Sequence, residues 1–178
     1  KKLTDLEIGA FMVLMSVAGN DTTKQTTSHT VISLAKHPEQ RDWLLEDFDG
    51  RINGAVEEMV RHAAPVMTFA RMAVRDLEVG GQQIRAGDKL GLLYCSGLRD
   101  ETVFPDPERF DLSRPRSAHV GFGGGGAHYC LGAGVAKTQL KALFGELLTR
   151  VPKMEVGEPD HQVSNFLRMV RRLPVTIG

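Results

Sequence analysis

Only two cysteines occur among the 178 residues, Cys95 and Cys130, and they lie far apart. That excludes a disulfide framework. Net charge is missing too: 22 basic side chains balance 22 acidic ones, for a formal charge of zero at pH 7. With no basic excess, nucleic acid is not expected as a partner. Long apolar runs are absent. The longest, Ile8 to Ala18, falls well short of the ~20 residues a bilayer span requires. No secretory leader or membrane anchor is legible, and the simplest expected location is cytoplasmic. Internal repeats and low-complexity segments are lacking. The length fits one domain around one core.

Glycine, by contrast, is concentrated in one place. Gly121 to Lys137 reads GFGGGGAHYCLGAGVAK. Behind it Val135, Ala136, Leu140, Leu143, Phe144 and Leu147 recur at helical spacing, which predicts a helix from Gly132 to about Arg150. Cys130 then sits at a helix N-terminus, where the dipole and unpaired N–H groups favour a thiolate. The run Gly123–Gly126 clears side chains from the approach to the sulfur, so a large flat ligand could lie against bare backbone. A thiolate so placed suits the proximal ligand of a haem iron. A single cysteine is otherwise read as a small buried hydrophobe. That reading is adopted for Cys95, at the end of an apolar run from Lys89 that has the look of a buried strand. Zinc or redox-thiol chemistry is a poor third reading. No second cysteine lies within ligand spacing of Cys130, although His128 does.

The glycine loop resembles the haem-binding signature of the cytochrome P-450 family of haem-thiolate monooxygenases. Gly126 stands four residues before the cysteine, His128 two before and Gly132 two after. The family's phenylalanine is usually seven before the cysteine. Here that position is Gly123 and the phenylalanine is Phe122, eight before, so the loop carries one extra residue. Phe122 is expected to pack beside the thiolate.

Three further segments follow in family order. Thr4-Asp-Leu-Glu7 is a capping box, and the helix it opens carries Ile8, Phe11, Met12, Met15 and Val17 on its apolar side. It runs into Ala18-Gly19-Asn20-Asp21-Thr22-Thr23, which are poor mid-helix residues, and then on to about Lys36. The helix either ends and restarts here or carries a local break that makes room against the backbone. The segment resembles the family's oxygen-activation motif. The resemblance implies that Ala18 and Gly19 leave space for dioxygen and that Asp21 and Thr22 manage protons. Next, Glu58 and Arg61 lie three apart on one helical face. Alone they would be ordinary surface charge. They match the family's E-x-x-R element, and Arg109, in Pro107-Glu-Arg-Phe110, matches its third member. The resemblance implies a buried structural network of these three. Finally, Pro65 predicts an extended exit from that helix. By resemblance Val66, Met67, Phe69 and, further on, Phe166 line the substrate pocket, while Arg71 and His128 clamp the haem propionates. For Arg71 alone, an exposed strand arginine is the simpler view. His119 is a weaker propionate candidate, more simply a loop histidine.

The expected fold class is mainly α with small β-sheets, as in the C-terminal, haem-ligand-bearing half of the P-450 fold. Trp43 and Leu44 are expected in the core, a small β-region over Leu77–Tyr94, irregular coil from Phe104, and a strand over Leu173–Ile177. Lys1 is not an initiator methionine, and family members are more than twice as long. The absent N-terminal half would supply the pocket lid, further propionate ligands and part of the reductant docking face. The implied activity is monooxygenation of an apolar small molecule with haem b. Electrons would come from NAD(P)H through a ferredoxin and its reductase. A steroid, branched lipid or terpene is the suggested substrate. The alternative is a non-catalytic fragment that folds but holds haem weakly or not at all.

Overall fold

The computed structural model describes residues 2–115 and 118–178. Helix α1 spans Asp5–Lys36. Its start is fixed by the capping box: the Thr4 hydroxyl accepts from Glu7 N–H at 3.3 Å, and Glu7 Oε2 accepts from Thr4 N–H at 2.7 Å. The helix is unbroken, so neither a restart nor a local gap occurs at Gly19–Thr23. The threonines adapt by donating to the carbonyl one turn back. Thr22 bonds Ala18 O at 2.8 Å, Thr26 bonds Thr22 O at 2.9 Å and Thr27 bonds Thr23 O at 3.0 Å.

The two halves of α1 differ in burial. Gln25, Thr26, His29, Thr30, Val31, Ser33 and Leu34 are buried, whereas Ile8, Phe11, Met12, Met15 and Val17 all face solvent. Gln25 behaves like a strand residue. Its amide accepts from Val170 N–H at 2.7 Å and donates to Val170 O at 3.4 Å.

Helix α2, Pro38–Glu46, starts on a proline whose missing N–H costs nothing at that position. Leu44 is fully buried; Trp43 is only half-buried, with the Arg51 guanidinium 4.5 Å above its ring. Helix α3, Phe48–Ala63, is capped by Asp47 and has the most one-sided apolar face. It buries Ile52, Ala55, Val56, Met59 and Val60. It ends at Ala64 in the left-handed region, φ 45°. The extended residue expected before Pro65 is therefore not found. Proline disfavours a right-handed helical neighbour, and the left-handed cap stops the helix instead.

Strand β1, Thr68–Met72, comes next, followed by the hairpin of β2 (Leu77–Val79) and β3 (Gln82–Ile84). Gly80 and Gly81 both take positive φ at the hairpin turn. Strand β4, Lys89–Leu93, pairs antiparallel with β1, Phe69 opposite Leu92 and Arg71 opposite Leu90. Cys95 corrects its expectation. It is half-buried in the short turn α4, Tyr94–Gly97, beyond the strand, because the chain curls there and Tyr94 N–H reaches Met67 O at 2.9 Å.

Irregular coil follows, held down by the buried side chains of Leu98, Phe104, Phe110 and Leu112. Helix α5 spans Ala133–Arg150 and buries Leu140, Phe144 and Leu148, while Val135 and Leu143 are exposed. Strand β5, Met154–Val156, pairs with β8, Val175–Ile177; β6, Asp160–Gln162, pairs with β7, Met169–Arg172. The last strand is thus shorter than Leu173–Ile177. Among the described residues there are four sheets, each of two strands.

The core lies where the second half of α1, α3 and α5 meet, around Val31, Leu34, Val56, Met59, Leu140 and Phe144. Phe144 is completely buried, and burial of one such ring contributes roughly 1.5–3 kcal/mol. This core is the platform for the cysteine loop, which enters from the coil and leaves as α5.

Candidate functional site

The loop begins with a single 3-10 turn, Val120–Phe122, capped by the His119 ring, whose Nδ1 accepts from Gly121 N–H at 3.1 Å. Gly121 must be glycine: a Cβ there would lie 2.9 Å from both Val60 Cγ1 and His119 Nδ1. Gly123, Gly125 and Gly126 take φ of 97°, 96° and 75°, backbone that favours glycine. The loop closes when Cys130 N–H donates to Phe122 O at 2.9 Å. Cys130 O then accepts from Ala133 N–H at 3.3 Å, and α5 departs from Gly132 with no side-chain cap. The Cys130 thiol is exposed. A Cβ on Gly124, Gly125 or Gly126 would meet nothing within 4 Å, so this side of the loop is open to a flat group. The Phe122 ring packs half-buried against the core, with Lys137 Nζ 5.0 Å from its centre and the His119 ring 6.0 Å away.

Beneath the loop, α3 carries a buried ion pair. Glu58 and Arg61 are 3% and 1% exposed and bond twice: Arg61 Nε to Glu58 Oε2 at 2.6 Å and Nη2 to Oε1 at 2.8 Å. The remaining guanidinium protons reach the coil, at Leu98 O (2.7 Å), Pro107 O (2.9 Å) and Arg109 O (3.3 Å). Glu58 Oε1 also accepts from Asp111 N–H at 3.1 Å. Arg109 is therefore a correction. Its side chain is exposed, and only its carbonyl joins the network. The second cation on Glu58 is Arg114, whose Nε lies 3.3 Å from Glu58 Oε2. Arg114 also donates to Pro105 O (2.6 Å), Asp106 O (3.1 Å) and Arg109 O (3.1 Å).

Two histidines are held neutral nearby. Burial, reinforced by Arg99, Arg61 and Arg168, pushes His62 down to about 3. Its Nε2 contacts Glu108 O at 3.2 Å; a carbonyl only accepts, so Nε2 carries the proton and Nδ1 accepts from Ser33 Oγ at 3.3 Å. His29 is pushed down to about 4 by burial and by Arg168, and donates from Nε2 to Arg168 O at 3.1 Å.

Some of the sequence-expected pocket residues do meet. Val66 bridges Leu167, Met67 N–H donates to Phe166 O at 2.8 Å, and the Phe69 and Phe166 rings pack edge-on with centres 5.4 Å apart. The Tyr94 ring, which sequence spacing does not single out, also packs edge-on with Phe69, centres 5.8 Å apart. Arg71 bonds only its neighbour's carbonyl, Ala70 O, and His128 is exposed in the turn Gly126–His128. Among the described residues neither makes an ion pair. On α1, Ala18 and Gly19 are exposed, and Asp21 pairs with Lys24 at 3.0 Å. Among the described residues, no cluster of three or more His, Cys, Asp and Glu side chains could hold a metal ion.

The arrangement presents a thiol to an open face on a glycine loop closed by its own backbone, which is not how a core cysteine is held. The family model described as cytochrome P450 matches residues 1–162, and the chain belongs to that family. It is 45% identical over 177 residues to the methyl-branched lipid omega-hydroxylase of Mycobacterium tuberculosis, covering 99% of this chain and 41% of that protein. It is 43% identical over 167 residues to linalool 8-monooxygenase of Pseudomonas putida, covering 93% and 41%. It superposes on a Mycobacterium marinum cytochrome P450 solved in complex with pseudoionone with a TM-score of 0.95 at 54% identity, covering 99% of this chain and 43% of that one. The chain thus spans about two fifths of the length of these relatives.

Proposed function

We propose that this chain carries the thiolate-ligand portion of a haem monooxygenase that places one atom of O2 into a C–H bond of an apolar, branched small molecule. The observation that carries this reading is the exposed Cys130 thiol, held at the end of a glycine loop by its own N–H on Phe122 O.

The residues present fit a haem. The open glycine face accommodates a flat macrocycle. Arg71 and His128, engaged with no acid among the described residues, suit two propionates through charge-assisted hydrogen bonds. When bound, the haem supplies dioxygen activation, which a thiolate ligand favours by pushing electron density toward O–O cleavage. The chain's own part is positioning and proton handling. The Thr22 hydroxyl spends its one donor on Ala18 O and keeps two acceptor lone pairs. Asp21 beside it, in a solvent-open pair with Lys24, is the second proton-handling group of this reading. Val66, Met67, Phe69 and Phe166 form an apolar wall that suits a hydrocarbon. Among the described residues, no helix is long and apolar enough to cross a membrane. Haem b, a ferredoxin-type electron donor fed by NAD(P)H, a cytoplasmic location and the remainder of the protein complete the reading. A methyl-branched lipid, a terpene and a steroid are the substrate classes to test, the first two being those of the named relatives.

The test is turnover of the full-length protein with a ferredoxin, its reductase and ¹⁸O₂, offering a methyl-branched fatty acid, linalool and a steroid in competition. One labelled oxygen per hydroxylated branched product is the expected result. Product without label, or oxygen uptake without product from any of the three, contradicts the proposal.

A further inference from the structure

Glu57, the residue before Glu58, uses both carboxylate oxygens, and its partners flank the cysteine loop. Oε2 meets His119 Nε2 at 3.0 Å, and Oε1 meets Lys137 Nζ at 2.6 Å. His119 lies just ahead of the first turn of the loop, and Lys137 lies in the second turn of α5, behind Cys130. One carboxylate on α3 therefore ties the two ends of the cysteine loop to the core and to each other.

The hydrogen-bond directions are unambiguous. His119 Nδ1 accepts from Gly121 N–H, so its proton resides on Nε2 and is donated to Glu57. Burial lowers the His119 pKa, more than its bond to Glu57 raises it, which keeps the ring in this neutral form. Burial alone would raise Glu57; the bonds from Lys137 and His119 outweigh it and lower the pKa, keeping the carboxylate charged. Lys137 Nζ also sits over the Phe122 ring, and Phe122 O is the acceptor that holds Cys130 N–H. The chain of contacts runs from Glu57 through His119 and Lys137 to Phe122 and the thiol-bearing residue.

We propose that Glu57, His119 and Lys137 form a staple that positions the Cys130 ligand loop. This rests on the haem-thiolate reading of Cys130 given above. Glu57 and Lys137 keep partial solvent access, with side chains 21% and 29% exposed, so replacing either leaves no sealed charge.

The staple is tested by amide hydrogen exchange of the apo-protein, residue by residue, in wild type, Glu57→Gln, His119→Ala and Lys137→Arg. Glu57→Gln turns an amide NH2, itself a donor, toward either His119 or Lys137 and so loses one of the two bonds, and His119→Ala removes the Gly121 cap. In both, exchange at Gly121 and Cys130 accelerates ~10-fold or more, since hydrogen bonds to charged groups exceed the energy of one decade. Exchange within α3 stays at the wild-type rate, and Lys137→Arg, which keeps the cation, behaves as wild type. Unchanged exchange at Gly121 and Cys130, or equal acceleration throughout α3, overturns the staple. The haem-loaded protein gives a second readout: the ferrous–CO complex of Glu57→Gln shows a larger share of the protonated-thiol band than wild type. A wild-type protein without any thiolate-type band overturns the haem reading instead, and the exchange result still decides the staple.

Discussion

Glu58 holds two cations with one carboxylate in a nearly dry setting, and its removal is the most damaging single change at the residue scale. Glu58→Ala leaves the Arg61 guanidinium and the Arg114 head without an anion. A broken buried pair costs roughly 3–5 kcal/mol. Urea unfolding of Arg114→Ala should show a clear loss of stability, whereas Arg109→Ala, an exposed side chain, should stay within about 0.5 kcal/mol of wild type. The reverse order would put Arg109 back in the network. The i,i+3 spacing made the Glu58–Arg61 pair legible in the sequence. Arg114 was not legible, because the network closes in irregular coil, which has no period to read. Glu57 left a trace, two consecutive acids on a strongly amphipathic helix. Its partners, however, lie 62 and 80 residues away, beyond what local spacing reports. The two neutral histidines make a pH prediction. His29 and His62 fall to about 4 and about 3 in the folded chain, from an ordinary 6.5. The unfolded chain therefore binds protons that the folded chain refuses. Their contribution is complete above pH 6.5 and is lost as the pH falls toward 4 and then 3. The urea midpoint should drop between pH 7 and pH 5, and drop less in the His29→Gln, His62→Gln double variant. An equal drop in both proteins would assign the acid sensitivity elsewhere.

At the scale of elements, α1 is the informative case. Its cap and its end near Lys36 follow from Thr4, Glu7 and the apolar pattern, and these were readable in advance. Its continuity through Gly19–Thr23 was not, because propensity disfavours those residues while threonine back-bonding and the packed second half carry the helix through. The exposure of its first half was equally invisible. Apolar spacing shows that a face wants cover, not whether a neighbour supplies it. Phe11, Met12 and Val17 are 40%, 60% and 63% exposed. A helix without tertiary cover is marginal in water. Amide exchange in the 178-residue chain should therefore be fast over Asp5–Asn20 and slow over His29–Leu34, with a boundary near Gln25. Uniform protection along the helix would mean that a second copy of the chain covers the apolar face. The short strands show a related limit. β1 and β4 form a ladder in the expected region, yet Cys95 left the strand because α4 turns back to bond Met67 O, a contact that sequence alternation does not encode.

For the whole molecule, the α1–α3–α5 core, the buried Glu58–Arg61 pair and the cysteine loop make one mechanical unit. The core fixes α3. Helix α3 holds the coil through Glu58 and Arg61, and holds the loop through Glu57. The loop presents a thiol whose backbone is fixed and whose side chain is free. The family and the mainly α architecture were legible because glycine, cysteine and the acid–base pair recur at fixed spacings. The occupant of the open face is inferred from chemistry: a thiol, a flat glycine wall, and Arg71 and His128 without acidic partners among the described residues. The central claim is that Cys130 is the thiolate ligand of a haem iron. The most direct measurement is the absorption spectrum of the reduced, CO-treated protein, for wild type, Cys130→Ser and Cys95→Ser. Wild type and Cys95→Ser should show the thiolate-type Soret shift and Cys130→Ser should lose it; a shift that survives in Cys130→Ser would contradict the account.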